Sequence, residues 1–235
     1  MLFFFDALLY FVYRYVVVFD REAGGPVSAR AIVADVAFFS IFALHHSLFA
    51  RDAFRNVITR IVGALERSFY VWIASALFIA VCALWRPVAG AVWRIDQPAM
   101  VWLVRAAQLA GVALTLRSAS LIDVRELSGL KQLDTVGRTL SGSPGDPDKA
   151  RPAMQSEFKT HGPYGWVRHP IYAGWFLMVF AVSVMTMTRL VFAVTSGIYL
   201  LAAIPFEERS LRRASMGAYD RYMRQVRWKL VPRVF

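Results

Sequence analysis

Cysteine is almost missing from this chain. Its 235 residues include a single one, Cys82, which rules out an internal disulfide and a cysteine metal cluster. Charge is scarce as well: 18% of residues are Asp, Glu, Lys or Arg, against about 25% in an ordinary soluble domain. Acids are the scarcer kind, 16 against 27 bases. Hydrophobic residues make up 57%, with 18 Phe, 9 Tyr and 7 Trp. That balance excludes a disordered, collagen-like or disulfide-scaffold protein and argues against a soluble enzyme. No internal repeat is evident, which weakens an inverted-repeat transporter reading. No paired-histidine helix pattern supports haem ligation by His45 and His169.

Long apolar runs are what the chain does have. A crossing needs about 20 apolar residues. Residues 2–19, 29–50, 69–85 and 99–122 each read as one span. The first lacks a basic leader and a small-residue cleavage site, so it reads as a retained helix and not a signal peptide. The run 171–206 is too long for one crossing and is interrupted at Thr188-Arg189, so it reads as a hairpin of 171–187 and 190–206. The expected fold is all-α, a multi-pass membrane bundle of about six spans. Its organisation reads as an N-terminal bundle (1–122), a polar connector (123–160), and a hairpin with tail (161–235). Lys and Arg number 19 in segments 51–68, 123–170 and 207–235, against 5 in 20–30, 86–98 and 188–189. The positive-inside rule then puts both termini in the cytoplasm. This placement accounts for the net charge of +11 without nucleic acid as a partner. In the tail, Leu211, Ala214, Ala218, Tyr222 and Gln225 recur at helical spacing, so 207–225 is expected to be an amphipathic helix at the membrane surface.

Intramembrane charges usually face the bundle interior. Asp6, Arg14, Asp35, Arg105 and Arg117 are read as structural, with Asp35 pairing with Arg105 or Arg117. His45 and His46, near the end of the second span, could deprotonate or hydrogen-bond an acceptor. They could equally form a structural pair bonded to Glu66 or Arg67.

The segment from His161 to Gly174, HGPYGWVRHPIYAG, directly precedes the hairpin. Pro170 suits the first helical turn, which sets Arg168 and His169 at a helix N-terminus, a favourable place for a carboxylate or phosphate. A lipid headgroup is the plainer occupant. A hairpin returns its second end to the face where it began, so Glu207 and Glu208 are expected beside Arg168 and His169. Otherwise the two acids are simply the first turn of the tail helix, pairing with Arg212. Together the four residues suit a cationic ligand that also bears a carboxylate, as S-adenosylmethionine does: acids for its ammonium or ribose, Arg168 for its carboxylate, and the rings of Tyr164, Trp166 and Tyr172 for its cation. No metal site is read.

GPYGWVRHPIYAG, then EERSL and GAYDRYMRQV, resemble the isoprenylcysteine carboxyl methyltransferase superfamily. LHHSLFAR (44–51), ERSFY (66–70), ELSGLKQ (126–132), FKTHGPY (158–164) and MTMTRLVFAV (185–194) are similar to its nurim-like branch, in particular the bacterial methanethiol S-methyltransferases. The resemblance implies S-adenosylmethionine as cofactor, with His161, Gly162, Tyr164, Arg168, His169, Tyr172, Glu207 and Glu208 as its cofactor-binding residues. It implies methyl transfer to a small or lipophilic acceptor in contact with membrane lipid, a small thiol first. A prenylcysteine-like carboxylate, an amine phospholipid or a non-enzymatic membrane role are the alternatives. His45, His46 and Glu66 are the candidates for catalysis on the acceptor.

Overall fold

The computed structural model describes residues 2–49, 59–61, 63–121 and 161–235. The polar connector, and with it the 126–132 motif, lies outside them. The chain divides into two compact units, each drawn from separate stretches of sequence.

The first unit holds the described residues up to 95 together with 183–196. Helix α1 (Leu2–Tyr13) continues into a π turn, Arg14–Val18. Helix α2 is Ala29–Phe49. Ser28 caps it, its hydroxyl accepting the Ala31 N–H at 3.2 Å, which satisfies one of the helix's free donors. Helix α3 is Glu66–Leu84. It ends where Arg86 precedes Pro87, because the residue before a proline disfavours helical backbone. Buried Asp35 accepts the Arg86 N–H through both carboxylate oxygens, at 3.1 and 3.2 Å. The expected pairing with Arg105 or Arg117 gives way to this backbone contact, and the Arg105 guanidinium lies over the Trp102 ring at 5.5 Å. The unit's core is aromatic. Phe192, fully buried, has ring centroids 5.4 Å from Phe11 and 5.1 Å from Trp85, with Phe19 and Phe39 around it.

Two short strands depart from the all-helical expectation. β1 (Ala91–Arg94) pairs antiparallel with β2 (Val184–Thr186). β2 lies inside what reads as the first leg of the hairpin, so that leg stops early. Thr186 donates to the Phe19 carbonyl at 2.6 Å, and Thr188 accepts the Val88 N–H at 2.9 Å. Arg189, read from sequence as a loop residue, is buried. Its guanidinium donates to the carbonyls of Tyr15 (2.9 Å), Val16 (3.2 Å) and Val184 (2.7 Å), and pairs with Asp20. It thus ties the π turn to the second strand. Arg189→Met removes these donors at once. With about 1–3 kcal/mol for each buried group left unsatisfied, a loss of about 3 kcal/mol or more is expected, read as a lower unfolding temperature in detergent.

The second unit holds 96–121, 161–182 and 197–235 among the described residues. Helix α4 is Pro98–Leu121, with proline at its first position, where the missing N–H is no loss. Helix α5 is Pro170–Phe180, shorter than the expected 171–187 leg. Helix α6, Met187–Ala214, starts in the first unit and ends in the second. It runs on through Pro205, so Glu207 and Glu208 sit within the helix and not after its end. The expected single tail helix is broken: Met216 (φ 46°) and Gly217 (φ 85°) are left-handed, and α7 follows as Ala218–Gln225. Gly217 supplies the stop, since glycine takes that conformation without steric cost.

Helices α4 and α5 meet through two glycines. A Cβ on Gly174 would stand 2.3 Å from Thr115 Oγ1 and 2.7 Å from the Gly111 carbonyl oxygen. Gln108 adds a polar contact, its side-chain amide donating to the Met178 carbonyl at 3.0 Å. Small residues let helix backbones approach this closely in lipid.

Against six expected spans, three helices among the described residues are long and apolar enough to cross a membrane: Ala29–Leu48, Pro98–Leu121 and Met187–Arg213. Ser68–Leu84 and Pro170–Phe180 are shorter apolar helices.

Candidate functional site

The second unit gathers the residues singled out around the start of the hairpin. His161 and Gly162 open a 3-10 turn, Gly162–Gly165. Gly162 has φ 64°, which favours glycine. His161 and Trp166 are exposed, and Pro163 is buried. The chain then bends at Arg168 and passes through His169 into α5. The Arg168 N–H donates to the Trp228 carbonyl at 2.8 Å, and the His169 N–H to the Lys229 carbonyl at 2.9 Å. The 226–229 segment of the tail therefore lies alongside the entry to α5.

Arg168 is anchored on three sides. Its Nε donates to Glu208 Oε1 at 2.8 Å, and its Nη1 to the carbonyls of Val226 (3.1 Å) and Arg227 (2.7 Å). The side chains of Arg168 and Glu208 are 8% and 14% exposed. Sequence reasoning sets Arg168 against a ligand carboxylate; here it joins the start of the hairpin to α6 and the tail. The two acids are not equivalent. Glu208 is part-buried in this clamp and is also 3.2 Å from His169 Nε2. The Glu207 side chain is 45% exposed, with Oε2 accepting from the Tyr172 hydroxyl at 2.9 Å and 3.5 Å from His169 Nδ1. His169 thus faces both carboxylates, and only a ring with a proton on each nitrogen can donate to both at once. The His169 and Tyr172 rings stack at 5.4 Å, which fixes the hydroxyl that holds Glu207.

The expected approach of Glu207 and Glu208 to Arg168 and His169 across some 40 residues is thus what the structure has. Arg212, offered as an alternative partner, bonds Asp220 at 2.8 Å instead. Sequence reasoning missed the tail's part. Tyr219, Tyr222 and Val226 form a buried cluster with Leu211 and Met223 packed on it, and the Tyr222 hydroxyl donates to the Tyr164 carbonyl at 2.9 Å. The helical spacing of α7 marks such a face but not what covers it. Burial pushes the Tyr222 phenol up to about 12, with Arg168 opposing and Glu208 adding. Tyr164 and Tyr219 are pushed well above the ordinary tyrosine range, chiefly by burial. All three phenols stay neutral at physiological pH, so the Tyr222 donor persists.

The other three candidates belong to the first unit. His46, near the end of α2, accepts or donates at Nδ1 against the Tyr70 hydroxyl at 2.6 Å. His45 stacks on the Tyr70 ring at 5.8 Å. Glu66 is the first residue of α3. Among the described residues, no cluster of three or more His, Cys, Asp or Glu could hold a metal ion.

The donor set suits a cation bearing hydroxyls. A half-exposed carboxylate of fixed orientation, with Tyr172 bonded to it, can take an ammonium or a diol, while the part-buried Arg168–Glu208 pair satisfies its own charge.

Comparison with known proteins agrees with this chemistry. Residues 153–213 match the isoprenylcysteine carboxyl methyltransferase family. The chain is 33% identical over 208 residues to methanethiol S-methyltransferase of Mycobacterium tuberculosis, covering 88% of this chain and 80% of that protein. It is 33% identical over 229 residues to methanethiol S-methyltransferase 2 of Bradyrhizobium diazoefficiens, covering 96% and 83%. Nurim of Danio rerio is 27% identical over 188 residues, covering 75% and 63%. No solved structure gives a significant match. The shared sequence extends well beyond the hairpin and tail, and this chain belongs to the isoprenylcysteine carboxyl methyltransferase family, in the branch of the bacterial methanethiol S-methyltransferases and nurim.

Proposed function

We propose that this integral membrane methyltransferase takes its methyl group from S-adenosylmethionine and gives it to a small thiol such as methanethiol. The observation that carries the donor site is the Glu207 carboxylate, half-exposed and held by Tyr172 at 2.9 Å. The names and 33% identity of the relatives support the acceptor. When bound, S-adenosylmethionine supplies a methyl group already activated by its sulfonium charge. Glu207 binds its ammonium or ribose hydroxyls. Tyr172 and His169 hold Glu207 in place. Arg168 and Glu208 act as the frame that sets His169 and the 226–229 segment. The turn residues His161, Gly162 and Tyr164 border the cofactor. Such a displacement asks the protein chiefly to align the two partners and exclude water. His45, His46 and Glu66 serve the acceptor, whose nucleophilic form is the thiolate.

We also propose the six-crossing topology with both termini cytoplasmic, supported by the Lys and Arg balance of 19 to 5, and a bacterial inner membrane, supported by the bacterial relatives. Methanethiol, a prenylcysteine and phosphatidylethanolamine, each given to the detergent-purified protein with methyl-labelled S-adenosylmethionine, test the acceptor. Label in dimethyl sulfide is the expected result. Label only in the prenylcysteine or the phospholipid would overturn the thiol reading, and label in none would return the protein to a non-enzymatic role.

A further inference from the structure

We propose that Tyr222 is a positioning residue of the donor site: it holds the turn that carries Tyr164 and so sets Tyr164 against the bound cofactor. The proposal rests on the S-adenosylmethionine reading and adds to it a tail residue that touches no cofactor itself. All the residues involved lie in the second unit.

The Gly162–Gly165 turn has little of its own to hold it. It is a single 3-10 turn, a structure with poor hydrogen-bond geometry that persists only in short pieces. Among the described residues, the His161 side chain makes no capping bond to it. The next two backbone donors, the N–H groups of Trp166 and Val167, both go to the Pro163 carbonyl, at 3.1 and 3.2 Å. The Tyr164 carbonyl takes its donor from the tail instead: the Tyr222 hydroxyl, 2.9 Å away and 58 residues later in the chain.

Tyr222 is itself fixed at both ends of its helix. At the start of α7, Ser215 Oγ accepts the Tyr219 N–H at 3.1 Å, and Arg212 bonds Asp220 at 2.8 Å. Just past its end, the Val226 carbonyl accepts from Arg168 at 3.1 Å. Tyr219 and Tyr222, three residues apart, share a helix face, and both are buried. The ring of Tyr222 is therefore packed, and its hydroxyl is the part that reaches the turn.

What this anchor places is the Tyr164 side chain. Its phenol is pushed up first by burial and then by Tyr222 and Glu207, so it lies within electrostatic reach of the Glu207 carboxylate. A neutral phenol offers a donor where a carboxylate offers only acceptors. A hydroxyl of the cofactor, donor and acceptor in one group, can bond both. If the turn shifts, the phenol leaves its place beside Glu207 and that paired contact is lost.

The test titrates S-adenosylmethionine against four forms of the detergent-purified full chain: wild type, Tyr222→Phe, Tyr164→Phe and the double variant. Tyr222→Phe keeps the packed ring and removes one neutral hydrogen bond. It is expected to weaken binding by about 3- to 10-fold in a protein that unfolds within a few degrees of the wild type. Tyr164→Phe is expected to weaken binding at least as much. Because Tyr222 acts through Tyr164, the double variant is expected to bind about as well as Tyr164→Phe alone, the non-additivity of residues in one network. A tyrosine that only stabilised the tail would not couple to Tyr164 in this way. Unchanged affinity in Tyr222→Phe, or a double-variant loss equal to the product of the two single losses, would overturn the positioning role. A folded wild-type protein that binds no S-adenosylmethionine would instead overturn the donor reading on which it rests.

Discussion

Glu208→Ala is expected to destabilise the protein by about 3 kcal/mol, the lower end of the range for breaking a buried ion pair by removing one partner, because this pair is part-buried. Glu207→Ala, one residue away, is expected to cost about 1 kcal/mol or less, as an exposed pair does. The contrast follows from burial. Removal of Glu208 leaves the Arg168 Nε, whose side chain is 8% exposed, without the carboxylate 2.8 Å away, and takes away the oxygen 3.2 Å from His169 Nε2. Arg168 would still hold the Val226 and Arg227 carbonyls, so the tail stays attached while the entry to α5 keeps only the Glu207 contacts to α6. Glu207 is 45% exposed, and its bond to the Tyr172 hydroxyl is an exposed one. Cofactor affinity runs the other way. A hydrogen bond to a charged group is worth about 1.5–3 kcal/mol, so Glu207→Ala is expected to weaken S-adenosylmethionine by about 10- to 100-fold in a protein that unfolds within a few degrees of the wild type. Thermal unfolding in detergent beside a ligand titration reads both quantities. Equal stability losses in the two variants would contradict the division of roles.

Gly174→Ala is expected to lower both stability and cofactor affinity. The added carbon would meet the Gly111 carbonyl oxygen at 2.7 Å and the Thr115 backbone nitrogen at 2.9 Å, besides Thr115 Oγ1 at 2.3 Å. Two of these three atoms are backbone, so no rotamer change relieves them, and α4 must move away from α5. Overpacking of this kind typically costs about 1–3 kcal/mol, and separating α4 from α5 puts the expected loss at the upper end. The consequence reaches the site because α5 begins at Pro170, next to His169 and Arg168. Cofactor affinity should therefore fall along with the unfolding temperature. Adding Thr115→Ala removes the hydroxyl clash alone, so it is expected to restore only part of the loss. A full rescue would show that the side chain, and not the backbone approach, sets the helix spacing.

The site was more legible than the topology, for physical reasons. Arg168, His169, Glu207 and Glu208 stand out because polar and ionisable residues are rare in so apolar a chain, and a hairpin must return its far end to the near one. The boundaries of α2 and α4 fall within about a residue or two of those read from hydropathy, because each is a single apolar run bounded by Ser28 or Pro98. The hairpin interior was not legible. Residues 181–186, Ala-Val-Ser-Val-Met-Thr, are as apolar as a helix, and periodicity cannot separate a short buried strand from a helix. Only β1, some 90 residues earlier, decides the matter by pairing with Val184–Thr186. Arg189 was misread for a similar reason. Its partners are carbonyls of the π turn at Tyr15 and Val16, and backbone acceptors leave no mark in a sequence. The same holds for Arg168, whose Val226 and Arg227 carbonyls stand where a ligand carboxylate is expected.

Titration of S-adenosylmethionine against the detergent-purified wild-type protein and Glu207→Ala bears most directly on the donor site. The expected result is saturable binding to the wild type, weakened by about 10-fold or more in Glu207→Ala, with unfolding temperatures within a few degrees of each other. A folded wild-type protein that takes up no S-adenosylmethionine, or a Glu207→Ala variant that binds it as tightly, would contradict a methyl-donor site built on this carboxylate.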